Sequence, residues 1–160
     1  LLRSITELWR DDEDLCALIP FERVFTGRIP QTSIYKFPYV SILATQGSQT
    51  YRTDKTRGSR GPLSFHIWVD DANLEFGERV ANAITNAYAD RCWAISETAR
   101  VLDVLDLGEP TAHQTDLPNV KAWEVVMLFA AYIEWDRVVR SAECCLGMEV
   151  APDASSQGST

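Results

Sequence analysis

Apolar positions along this chain follow two periods, and the change from one to the other marks out its elements. Residues 2–10 place Leu2, Ile5, Leu8 and Trp9 on one side of a helix. The acidic run Asp11-Asp12-Glu13-Asp14 breaks that stripe. Leu15, Leu18 and Ile19 resume it on a second turn, which Pro20 stops. Arg23-Val24-Phe25-Thr26-Gly27 predicts a short strand, with Gly27 and Pro30 marking its exit. Over 38–45 the period is two, with Val40, Ile42 and Ala44 on one face. Leu63, Phe65, Ile67 and Val69 then alternate with Ser64, His66, Trp68 and Asp70, the clearest strand signal in the chain. The period switches at once to that of a helix over 72–89. Phe76, Val80, Ala83, Ile84, Ala87 and Tyr88 form its apolar stripe, and Asp70 or Asp71 can cap it.

Two stretches carry no such pattern. Residues 46–61 are polar and arginine-rich, long for a hairpin connection, and predict a loop that is functional or disordered. Residues 111–119 predict a second polar loop. Between and beyond these loops, Val101–Leu107 reads as a strand closed by Gly108-Glu109-Pro110. Val120–Trp135 carries apolar residues on both faces, which suits a long strand buried on both sides; a helix is the competing reading. Together these elements predict an α+β fold: a mainly antiparallel sheet packed against one long and one N-terminal helix, with a long polar β-hairpin loop. One domain is expected over 1–140. The extension 141–160 has a disordered composition from about residue 151, Ala-Pro-Asp-Ala-Ser-Ser-Gln-Gly-Ser-Thr.

Composition narrows the class. The chain has 160 residues, 46% hydrophobic and 24% charged, as expected of a soluble globular domain. Its longest apolar run, Val125–Ile133, falls far short of the ~20 residues that span a bilayer, so no membrane partner is expected. The first residues read as an amphipathic start rather than a secretory signal. The formal net charge of −8 argues against a globally basic nucleic-acid binder. Charge is nevertheless polarised. Over 46–61, Arg52, Lys55, Arg57 and Arg60 stand against Asp54, 4 − 1 = +3. That arrangement favours head-to-tail contact between copies or an acidic partner; a merely solvated loop is the alternative. Cys16, Cys92, Cys144 and Cys145 form no CxxC pair and suit reduced thiols in a cytosolic setting.

Nothing in the sequence marks a reaction. His66 and His113 are the two imidazoles, and neither has a nucleophile motif beside it. His66 alternates with an apolar face and is expected to point to solvent or a neighbouring subunit. The acidic run at 11–14 lacks the alternation and glycine of a calcium loop. No enzyme, metal or cofactor is expected. Among the five tryptophans, Trp68 stands out because it lies on the strand face opposite Phe65 and Ile67. A large aromatic there suits an intersubunit anchor. The candidate partner-contacting residues are therefore Arg52, Lys55, Arg57, Arg60 and Trp68.

The order of these features resembles the tail-terminator, or tail-completion, proteins of long-tailed bacteriophages and related particles. The residues that carry the likeness are the N-terminal helix with its acidic break (Leu2–Asp14), Val24-Phe25-Thr26-Gly27-Arg28-Ile29-Pro30 and Phe37-Pro38-Tyr39-Val40-Ser41-Ile42. The basic excursion Arg52–Arg60, the strand Ser64–Val69 and the helix Asn73–Tyr88 follow in the same order. The resemblance implies a hexameric ring at the head-proximal end of a virion tail, assembled in the host cytoplasm. Such a ring ends tail-tube polymerisation and gives the head a docking surface. Implied partners are further copies of the chain, tail-tube protein and a head connector or neck protein. DNA passing through the lumen without sequence readout is a further contact. Two other readings stay open: another head–tail connector or neck component, and a non-viral small-molecule-binding or enzymatic α+β domain.

Overall fold

The computed structural model describes residues 1–27, 29, 36–45, 47–52, 56–117 and 120–136. The fold is α+β. Its centre is a pair of long antiparallel strands, β4 (Thr56–Asp70) and β8 (Val120–Asp136), paired along their length from Thr56↔Asp136 to Asp70↔Ala122. On the far side of β4 lie β2 (Tyr39–Ala44) and, further along, β3 (Ser48–Arg52). A short parallel strand, β1 (Val24–Thr26), flanks β2. On the far side of β8 lie β6 (Ala99–Asp106) and β7 (Thr111–Leu117), and β5 (Trp93–Ser96) flanks β6. The main path of this eight-stranded sheet runs β1-β2-β4-β8-β6-β5.

Three helices cover one face: α1 (Leu2–Asp11), α2 (Glu13–Leu18) and α3 (Leu74–Tyr88). The alternation in β4 explains why. Leu63, Phe65, Ile67 and Val69 point to the helices and are fully buried. Val40 and Ile42 of β2 join them on one side and Val125, Met127 and Phe129 of β8 on the other. From above, α3 contributes Val80, Ala81, Ile84 and Tyr88. Phe65 meets Tyr88 at 5.2 Å and the edge of Phe129 at 5.6 Å between ring centroids. At Gly77 the helix comes so close to the sheet that a Cβ would sit 3.0 Å from Val125 Cγ2. Polar groups inside this layer are satisfied. Trp9 donates Nε1–H to the Ile19 carbonyl at 3.1 Å, and the Tyr88 hydroxyl donates to the Ile5 carbonyl at 2.9 Å. Asp12 caps α2 through its side chain, accepting from the Leu15 amide, so the acidic break is a helix junction.

Four expectations need correction. Most of the 46–61 loop is strand: β3 and the first residues of β4 build a hairpin that carries the sheet past β2. Residues 111–117 are β7 rather than loop, and β5, whose alternating Trp93 and Ile95 pack against the core, is an element not expected above. The helix that follows β4 has Asn73 as its N-cap position without a side-chain cap bond. Asp70 instead accepts from the Ala72 amide and Asn73 Nδ2. Finally, the second face of β8 is buried only in part: Ala130 is covered and Val126 and Tyr132 are half-buried. Met127 and Phe129 are buried under the helices, whereas Leu128 on the other face is 53% exposed. The extension 141–160, with Cys144 and Cys145, lies outside the described residues.

Candidate assembly interface

Among the described residues no helix covers the face of the sheet turned away from α1, α2 and α3, although Tyr39, Ser41 and Ala130 on it are buried by their neighbours. Register places its side chains. Tyr39, Ser41 and Leu43 of β2 stand opposite Trp68, His66 and Ser64 of β4, which in turn stand opposite Glu124, Val126 and Leu128 of β8. Across β8 come Thr111 and His113 of β7 and Leu105 of β6. Leu43, Leu105 and Leu128 are among the most exposed large apolar side chains described. Contiguous apolar surface of this kind marks contact sites.

Trp68 lies on this open face, as its alternation with Phe65 and Ile67 predicts. It is half-buried and stacks on Tyr39 at 6.0 Å, with an interplanar angle of 20°. Tyr39 also stacks on Phe37 and meets Phe25 edge-on, so four aromatic rings form a row at one end of the face. Burial in that row, followed by the nearby Glu124 carboxylate, pushes the Tyr39 hydroxyl up to about 12.

The middle of the face holds a polar ladder that sequence reasoning missed. His66 Nδ1 lies 2.7 Å from Glu124 Oε1, and its Nε2 lies 3.0 Å from Ser64 Oγ. With Nδ1–H donating to the carboxylate, Nε2 accepts from the serine hydroxyl. His66 is therefore half-buried and engaged, not simply turned to solvent. A serine, histidine and acid in that order invite comparison with a nucleophile relay. Acyl transfer also requires free amide donors for an oxyanion. Here Ser64 and His66 pair with β2 on one side and β8 on the other, and those ladders engage the backbone around them. The arrangement ties β4 to β8. The only sequence signal for it was a glutamate within the otherwise apolar run of β8.

The hairpin of β3 and β4 extends the face beyond β2. Its entry depends on two glycines: a Cβ on Gly47 would lie 2.1 Å from the Arg60 carbonyl oxygen, so only glycine lets the backbones approach. Gly61 faces the same junction, where a Cβ on it would lie 3.0 Å from the Thr45 carbonyl oxygen and 3.1 Å from Gly47 Cα. Arg52, Arg57 and Arg60 are exposed and lie on strands. Arg57 sits over the Trp135 ring at 5.6 Å, and Arg60 over Tyr132 at 5.4 Å. These contacts hold the guanidiniums in place without neutralising them. Arg52 and Arg57 are also direct cross-strand partners. Among the described residues no carboxylate lies within 4 Å of any of the three. Lys55 lies outside the described residues. The structure thus places Arg52 and Arg57 side by side on the helix-side face of the hairpin and Arg60 on the other, open face, which Trp68 shares further along β4.

Among the described residues no cluster of three or more histidine, cysteine or acidic side chains could hold a metal ion. None of the described helices is long and apolar enough to cross a membrane. Cys16 and Cys92 are free thiols.

No protein-family model and no curated protein matches the sequence. Solved structures do resemble the fold. One is a chain of a structure described as "Virion of native gene transfer agent (GTA) particle", 18% identical, with a TM-score of 0.64. The likeness covers 81% of this chain and 91% of that one.

Proposed function

We propose that the chain is a structural subunit of a phage-like virion, forming a hexameric ring at the head-proximal end of the tail. The ring ends tail-tube polymerisation and presents the surface to which the head docks. The observation that carries this reading is the fold likeness to a chain of a gene transfer agent virion, which spans nearly all of that chain. The open sheet face is what such a subunit needs. Leu43, Leu105 and Leu128, together with Trp68, form an apolar surface that the chain's own helices leave bare. In this reading the polar ladder of Ser64, His66 and Glu124 serves to hold β4 and β8 in register.

The test is tube growth. Purified tail-tube subunits polymerise in the presence and absence of the chain, and tube lengths are measured by negative-stain imaging. The chain is expected to decorate one end of each tube and stop its elongation. Tubes of unchanged length with undecorated ends contradict the terminator role. Binding to the head connector without binding to the tube assigns the chain to the neck instead.

A further inference from the structure

Where the hairpin extends the sheet, the local strand order is β3-β4-β8-β6. The edge strand β3 with its neighbour β4 carries Arg52, Arg57 and Arg60. Two strands further on, β6 and its exit carry the opposite charge. Asp103, Asp106 and Glu109 alternate there with Leu102, Leu105 and Leu107, which are 39%, 42% and 48% exposed. β5 pairs with residues 99–101 only, and beyond them the Asp90 amide donates to the Val104 carbonyl at 3.0 Å. The arginine edge and the acidic leucine strip are thus opposite sides of one rigid sheet.

We infer that the β3–β4 arginine edge of one copy docks on the Leu102–Glu109 strip of the next, and that this head-to-tail contact closes the ring. The inference rests on the ring reading and assigns its subunit interface. Three observations carry it. First, like charges directly opposite across an antiparallel pair are destabilising, and Arg52 faces Arg57 without a carboxylate within reach among the described residues. Charges that only protect a sheet edge from aggregation need no such pairing. Second, both edges carry charge on the two faces of the sheet: Arg52 and Arg57 lie on the helix side and Arg60 on the open side, as Asp106 lies on the helix side and Asp103 and Leu105 on the open side, and the leucines supply the apolar contact that charge alone does not. Third, β4 and β8 separate the two surfaces, so within one copy they stay apart. Two different, complementary patches make a heterologous contact, which propagates in one direction until it closes.

The experiment is a charge swap in the full chain. One variant carries Arg52→Glu and Arg57→Glu, a second carries Asp103→Arg and Glu109→Arg, and a third carries all four changes. Sedimentation velocity reads subunit number at tens to hundreds of micromolar, and thermal melts check folding. Each reversal alone is expected to weaken association at least tenfold, and the four-fold variant to recover it. The milder Arg57→Gln and Asp103→Asn, singly and together, give a double-mutant cycle that holds even where the reversals fold poorly. A non-additive cycle is expected. Wild type that assembles while the swap fails to recover and the cycle is additive overturns this interface and leaves the ring standing. Wild type that stays a single subunit, with and without tail tubes, overturns both. A ring unaffected by Arg52→Glu and Arg57→Glu, with retention on duplex DNA lost, reassigns the arginines to DNA in the lumen and also overturns the inference.

Discussion

Trp68 and Ile84 lie on opposite sides of the same sheet, and their truncations should separate folding from assembly. Ile84 is fully buried beneath the helices. Ile84→Ala is expected to cost about 2–5 kcal/mol of stability, because the cavity it leaves cannot refill. Trp68 is half-buried and stacks on Tyr39. Losing that aromatic pair should cost only about 1 kcal/mol within the subunit. Trp68→Ala should therefore melt close to wild type and assemble poorly. Equal losses in thermal melts would place Trp68 in the core of the subunit. Tyr39 offers a second check, through titration. Its folded hydroxyl titrates near 12, raised by burial and then by Glu124, against an ordinary value near 10 in the unfolded chain. Burial raises Tyr88 in the same direction. The folded state thus holds these protons more tightly, so the stabilisation is complete below about pH 10 and falls as pH rises from there through the folded values. Ultraviolet difference titration should show tyrosines that ionise only well above pH 10, and denaturant melts should show stability declining over the same range. The alternation that put Trp68 on its own face was legible in the sequence. The His66–Glu124 bond was not, because it joins residues 58 apart that only the β4–β8 register brings together.

The β3–β4 hairpin shows why elements differ in how plainly they are written. β2, β4 and α3 each bury one face, and burial imposes a period that the sequence must carry. β3 pairs with β4 alone and its residues, Ser-Gln-Thr-Tyr-Arg, carry no apolar period; only Thr50 and Tyr51, good strand formers, hint at it. β7 is polar in the same way. β8 misled in the opposite direction. Its second apolar face predicts burial throughout, but that face is buried only in part, with Ala130 covered and Leu128 exposed. Gly47 is the residue on which the hairpin turns. Gly47→Ala would drive a Cβ into the Arg60 carbonyl, a clash with backbone that no rotamer relieves. Overpacking of this kind costs about 1–3 kcal/mol. Hydrogen exchange is expected to rise over 48–60 while β4 beyond Leu63 stays protected. Unchanged protection in that segment would show that the junction tolerates a side chain.

The molecule as a whole is a half-finished sandwich. One side of its sheet is sealed by three helices around a continuous core. The other carries exposed leucines, aromatic rings gathered around the buried Tyr39, and Arg60 of the hairpin. An antiparallel sheet can tolerate one wet face when that face is polar. On the proposed reading the leucines serve as a contact surface, and the opposed charges at the two edges of the sheet give the contact a direction. Closure by identical copies satisfies both features at once. Native mass spectrometry of the full chain, alone and with tail tubes, tests this most directly because it counts the subunits. The account predicts a discrete hexamer whose population falls as salt rises, since the closing contact is between charges. A single subunit under both conditions, or an open distribution of masses with no preferred number, would contradict it.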